Sequence, residues 1–242
     1  MKLLEILFPS NIYCMTCNAI INKKSKYAIC DKCLKRFHWI EDATCEKCGK
    51  IISNNYLGQK FCVDCKENEH YYNRGYVCAQ YGLYERTIIM SFKYGNKPYI
   101  GKILGKIMAE RFVIEKNNPE DEVDIIIPVP IHKKRERKRG YNQAEILATV
   151  ISKELKIPLG KKVVYRTKNT VPMKSLGALE RTENVKNAFE VNQEHSNALI
   201  NKKILLVDDI YTTGSTIDSV SKLLLEVGAE KVDFLAFAAG KN

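Results

Sequence analysis

No apolar run in this chain approaches the ~20 residues that a membrane-crossing helix needs, so insertion into a bilayer is not expected. An export leader is not expected in these residues either. Residues 1–9 are too few for one and carry Glu5 in their middle. We read them as a short amphipathic turn packing on the body of a cytoplasmic protein. Acidic residues are in deficit, 28 against 39 lysines and arginines, for a formal charge of +11 over 242 residues. That excess argues for an anionic partner: nucleic acid, a phosphorylated substrate or an acidic membrane surface. The plainer alternative is lysine used for solubility. With 45% hydrophobic and 28% charged residues the composition is globular. The length suits one large domain, or a domain with a small module.

What is abundant is cysteine. Of 9 cysteines, eight form four Cys-x-x-Cys pairs: Cys14/Cys17, Cys30/Cys33, Cys45/Cys48 and Cys62/Cys65. Twelve residues separate Cys17 from Cys30, and thirteen separate Cys48 from Cys62. Two residues between cysteines let both thiolates of a knuckle reach one tetrahedral zinc ion, and a second knuckle closes the site. Four pairs predict two closed, structural zinc sites of four cysteines each. A disulfide framework would need export, and a redox pair would need one motif at a βαβ junction. Sequential pairing and a cross-braced arrangement (first with third, second with fourth) satisfy the spacing equally. Two zinc ions on eight thiolates would lower the net charge to about +7. Cys78 sits in an apolar strand as a core residue, while His38 and His70 are expected at a surface or interface. Residues 1–70 thus read as a metal-stapled module, with the boundary in the polar stretch 66–70 and a second domain over 71–242.

The second domain alternates strand-like and helix-like segments. Residues 74–84 read as a strand or hairpin, 85–92 and 100–114 as helices, 123–129 as a buried strand and 144–155 as an amphipathic helix. A short strand at 163–165, a central strand at 204–207, a helix at 217–227 and a last strand at 232–238 complete it. The order predicts a doubly wound, mostly parallel α/β sheet, with its ligand beyond the carboxyl ends of the strands.

Three segments carry chemistry. The first is the strand 204–207 followed by Asp208, Asp209 and the loop Thr212, Thr213, Gly214, Ser215, Thr216. Loop N–H groups and a helix N-terminus hold a phosphate, Gly214 permits close approach, and the carboxylates accept hydrogen bonds from ribose hydroxyls. The alternative is an ordinary hydroxyl-capped turn. A Walker A loop is excluded here, because no Gly-Lys-Ser/Thr closes the segment. The second is Lys133, Lys134, Arg135, Glu136, Arg137, Lys138, Arg139, with six basic residues of seven. It would meet a pyrophosphate or a nucleic-acid backbone, with Tyr141 stacking on a base, or else form a solvated basic face. The third is the polar stretch 166–185, with Arg166 and Arg181 at the ends of a lid loop or of a plain connection.

The Asp208–Thr216 motif resembles the phosphoribosyl-pyrophosphate (PRPP) loop of type I phosphoribosyltransferases. Together with the knuckles, Phe92-Lys93-Tyr94-Gly95, Pro128-Val129-Pro130, residues 139–143 and residues 180–185, it makes nearly the whole chain similar to the ComF family of bacterial competence proteins. The resemblance implies a type I phosphoribosyltransferase-like domain behind a double zinc ribbon. It implies PRPP, carried with magnesium, on Asp208, Asp209 and Thr212–Thr216, pyrophosphate facing 133–139, and the 166–181 loop closing over both. The chain departs from its relatives near Met173, where they commonly carry glutamine. Three functions follow. The first is a natural-transformation protein binding PRPP and single-stranded DNA, with competence-machinery proteins as partners. The second is a phosphoribosyltransferase acting on an unidentified base or amine. The third is a PRPP-sensing regulator without turnover. No segment marks a base-recognition pocket.

Overall fold

The structure is a computed structural model that describes residues 13–22, 25, 27–41, 43–52, 58–116, 122–168 and 188–240. The expected N-terminal turn, Met173, Arg181 and most of the lid segment lie outside the described residues. Among those described, short helices α1 (Asp31–Leu34) and α2 (Val63–Glu67) precede β1 (Gly75–Gln80), α3 (Leu83–Tyr94) and α4 (Tyr99–Glu115). Then come β2 (Ile125–Pro128), α5 (Lys133–Arg139), α6 (Gln143–Leu155), β3 (Val164–Arg166), β4 (Phe189–Val191) and α7 (Gln193–Ser196). The chain continues through β5 (Lys203–Tyr211), α8 (Ser215–Glu226) and β6 (Lys231–Ala239).

Four strands form a parallel sheet in the order β1-β6-β5-β2. Its near-continuous apolar strands are buried on both faces, as parallel sheets require. Tyr76, Cys78, Ile126, Leu205, Val207, Leu235 and Phe237 pack with residues of α3, α4 and α6. Val77, Ile127, Ile204, Leu206, Phe234 and Ala236 face α8 and the β3–β4 pair. The alternation is the period-two pattern of a strand.

Two expectations are corrected. The stretch 74–84 is a strand only to Gln80, because the Glu85 carboxylate accepts the Gly82 N–H (2.9 Å) and starts α3. The strand near 163–165 is not part of the main sheet; Val164–Arg166 pairs antiparallel with Phe189–Val191.

The eight paired cysteines gather sequentially. Cys14, Cys17, Cys30 and Cys33 form one cluster and Cys45, Cys48, Cys62 and Cys65 the other, with all sulfurs of each cluster within 4.8 Å of one another. A tetrahedron with ~2.3 Å zinc–sulfur bonds has edges of ~3.8 Å. Cys17–Cys30 and Cys48–Cys62 both span 3.7 Å, so the thiolates fit zinc. Gly49, at φ +73°, turns the knuckle directly after Cys48. The cross-braced arrangement is excluded.

The two ribbons pack on opposite faces of the sheet. Cys14, Ile21, Ile29, Cys33 and Phe37 join the α3–α4 side, while Cys45, Cys48, Ile52 and Cys62 join the α8 side. Between them residues 38–40 run along β1, with Ile40 N–H to Cys78 O (3.0 Å) and Gln80 N–H to His38 O (2.8 Å). Cys78 is buried, as expected.

Candidate functional site: the cavity at the carboxyl end of the sheet

Where β2 and β5 end, an open cavity of about 380 Å³ forms. Asp208, Asp209 and residues 210–217 line one side, and Lys93, Tyr94, Arg135, Lys138, Arg139 and Arg166 line the other. The strand runs on through the acidic pair to Tyr211, beside Ala239 of β6. Gly214 then adopts φ +81° and caps α8. The Asp218 N–H bonds to Gly214 O (2.7 Å), and the Thr213 and Ser215 hydroxyls lie 2.9 Å apart. A Cβ on Gly214 would come within 2.9 Å of the Tyr211 hydroxyl and 3.1 Å of Asp218 Oδ2, so the loop needs glycine on conformation and space alike.

The carboxylates have different surroundings. Asp209 is 4% exposed and pairs with Lys93, Nζ to Oδ1 at 2.8 Å. Asp208 is pushed up to about 7, first by burial and then by the Asp209 charge; Lys93, the Asp209 N–H and Arg166 oppose the rise. The Asp209 N–H reaches Asp208 Oδ1 at 2.7 Å. Opposite, Arg166 is drawn down to about 10 by burial and by Arg135, and Arg135 is lowered by its own burial and by Arg139. Crowded, desolvated cations disfavour one another's charge, and a bound polyanion would relieve that.

The basic segment folds as helix α5, a conformation that its sequence does not announce. Its faces differ. Arg135, Lys138 and Arg139 line the cavity, whereas Lys133, Lys134 and Arg137 lie outside it. Arg139 donates to Gln143 Oε1 (2.8 Å) and to the Tyr94 hydroxyl (3.1 Å), its guanidinium 5.1 Å from the Tyr94 ring centre. Asn142 fixes the next turn: Nδ2 donates to Val129 O at the end of β2, and Oδ1 accepts the Ala144 N–H that starts α6, each at 3.1 Å. Tyr141 is tied to the end of α3. Its hydroxyl donates to Phe92 O and its half-buried ring lies against Phe92, 5.8 Å between centres. Tyr94, 58% exposed, lies on the rim of the cavity. Lys93 and Tyr94 carry part of the family resemblance, yet the sequence alone gives them no role. Their signal is a basic and an aromatic residue closing an amphipathic helix directly after buried Phe92.

Comparison with known proteins fits this geometry. Residues 3–66 match the family described as double zinc ribbon domain, and residues 131–242 match the phosphoribosyl transferase domain. "Competence protein F" of Haemophilus influenzae is 31% identical over 231 residues, covering 94% of this chain and 97% of that protein. The chain belongs to the ComF family. Among other ComF relatives, "DNA utilization protein YhgH" of Escherichia coli K12 is 27% identical over 207 residues, 85% of this chain and 88% of that one. "Competence protein ComFC" of Streptococcus pneumoniae is 27% identical over 191 residues, 79% and 82%. This ComF chain joins a double zinc ribbon to a phosphoribosyltransferase-type sheet. Among the described residues no helix is long and apolar enough to cross a membrane.

Proposed function

We propose that this ComF protein serves DNA uptake in competence by binding PRPP in the cavity and single-stranded DNA on the face beside it. The observation that carries the reading is the juxtaposition, in one cavity, of the Asp208–Asp209 pair, the Gly214 loop at the start of α8, and the cations of Lys93, Arg135, Arg139 and Arg166. The loop N–H groups and α8 N-terminus suit a 5-phosphate, Asp208 and Asp209 suit the ribose hydroxyls, and the arginines suit the pyrophosphate. Magnesium fits as an ion carried by PRPP. The cavity offers two carboxylates, one already paired with Lys93, and Mg²⁺ prefers phosphate oxygens and water. When bound, it would neutralise the pyrophosphate charge.

The outward residues Lys133, Lys134 and Arg137, with Tyr94 at the rim, supply the two parts that single-strand binding uses, backbone cations and a stacking surface. Turnover is a second reading, favoured by the carboxyl of Asp208, which ionises near neutrality beside the cavity. In that case these residues would orient the ribose for displacement of pyrophosphate at the anomeric carbon.

Calorimetric titration of zinc-loaded protein with Mg–PRPP tests the site. Saturable binding, lost in Asp208→Ala/Asp209→Ala, is expected; no binding by the folded protein would overturn the PRPP reading. Single-strand binding that ignores salt would overturn the DNA reading, since phosphate contacts release counterions.

A further inference from the structure

The phosphate loop is held from beneath by residues of the segment that directly follows the second ribbon. Asp218, in the first turn of α8, has both carboxylate oxygens engaged: Oδ2 with His70 Nδ1 at 2.7 Å, Oδ1 with the Tyr71 N–H at 3.0 Å. Tyr211, the last residue of β5, shares a 2.6 Å hydrogen bond with the Tyr72 hydroxyl, and both tyrosines are fully buried. Asp218 Oδ2 and the Tyr211 hydroxyl are the atoms that bound the space under Gly214. Each is therefore fixed by one member of the 70–72 segment.

That segment is fixed in turn by the second ribbon. The His70 ring stacks on Tyr72 at 4.8 Å, and the Tyr72 hydroxyl lies 4.0 Å from Cys65 Sγ. Lys50, 5% exposed, places Nζ 5.2 Å over the Tyr211 ring and 3.4 Å from Asp64. The first ribbon packs on the other face of the sheet.

We propose that His70 and Tyr72 are positioning residues for the phosphate loop, so that the second ribbon, and not the first, is a structural part of the sugar-phosphate site. This rests on the reading that residues 212–216 hold a 5-phosphate. A loop whose N–H groups must converge on one anion loses affinity when part of its population leaves that conformation. Deleting one buried hydrogen bond is expected to weaken binding roughly three- to tenfold.

The test is calorimetric titration of the full zinc-loaded chain with ribose 5-phosphate and, separately, with magnesium pyrophosphate. Tyr72→Phe and His70→Leu are expected to weaken ribose 5-phosphate three- to tenfold and leave pyrophosphate unchanged. His70→Asn, whose amide keeps a donor for Asp218, is expected to restore affinity. Unchanged ribose 5-phosphate binding in both variants, or an equal loss for pyrophosphate, would overturn the proposal. Failure of the parent protein to bind ribose 5-phosphate would instead count against the function proposed above. Hydrogen exchange without ligand then decides the positioning role: amides 213–218 should exchange faster in Tyr72→Phe, and unchanged rates would overturn it.

Discussion

Lys93 Nζ lies 2.8 Å from Asp209 Oδ1, joining the end of α3 to β5 across the floor of the cavity. Both side chains are largely buried, 18% and 6% exposed. Removing one partner of such a pair strands the other charge. Lys93→Met is predicted to cost ~3 kcal/mol, with Lys93→Met/Asp209→Asn recovering part of it. Urea unfolding of the parent, of Lys93→Met, of Asp209→Asn and of the double variant measures the coupling; an additive result would contradict it.

The Asp208 carboxyl gives a pH signature. Its folded value, about 7, stands above the ordinary 3.8, so the native state holds the proton longer than the unfolded chain. Stability is therefore predicted to fall as pH rises from about 4 to about 7 and to level off above. Partial exposure screens the effect to ~1 kcal/mol. Asp208→Asn should then raise the melting temperature by about 2–4 °C at pH 8 and little at pH 4. Ribose 5-phosphate binding should tighten up to about tenfold from pH 6 to pH 8 as the acceptor ionises. In Asp208→Asn only the phosphate's own ionisation, near ~6, should remain. Lys93→Met removes a charge that lowers the Asp208 value, so its midpoint should move above 7.

The two faces of α5 should separate the two ligands. Alanine at Lys133, Lys134 or Arg137 is predicted to weaken single-stranded DNA and flatten the salt dependence by ~0.7 for each phosphate no longer neutralised, with PRPP affinity unchanged. Alanine at Arg135 or Arg139 should weaken PRPP. Tyr94→Ala should cost ~1–3 kcal/mol per stacked base with the salt slope intact, and nothing against an abasic strand. Identical losses for abasic and normal strands would remove Tyr94 from the path.

Metal removal should act unequally. Elemental analysis is predicted to give about two zinc per chain, and about one in either Cys14→Ser or Cys62→Ser. Cys62→Ser should weaken ribose 5-phosphate about tenfold, and Cys14→Ser less than twofold. The reverse order would detach the phosphate loop from the second ribbon.

Much of this site is legible in the residues alone. The apolar run into Asp208–Asp209 and the Thr-Thr-Gly-Ser-Thr tail predict strand, loop and helix because each step has its own composition. The cysteine spacing predicts two metal sites but not their pairing, since nearly equal gaps fit both arrangements. The segment 133–139 hides its helix because periodicity needs contrast, and six cations in seven positions offer none. Tyr141 reads as a stacking residue because nothing local announces that its hydroxyl meets Phe92 O, forty-nine positions away. The bonds of His70 and Tyr72 with Asp218 and Tyr211 span still longer separations, 148 and 139 positions.

The antiparallel run of residues 38–40 along β1 has a consequence of another kind. The backbone groups of an outer strand are a template on which another chain can add a strand. Here Ile40, His38 and the Trp39–Ala79 bridge occupy that template, and the runs on either side of it are anchored by the cysteine clusters. Zinc scarcity would therefore do more than loosen a module. It would uncover β1 and let one copy of the chain pair with another, a failure seen as turbidity under chelation before any loss of secondary structure.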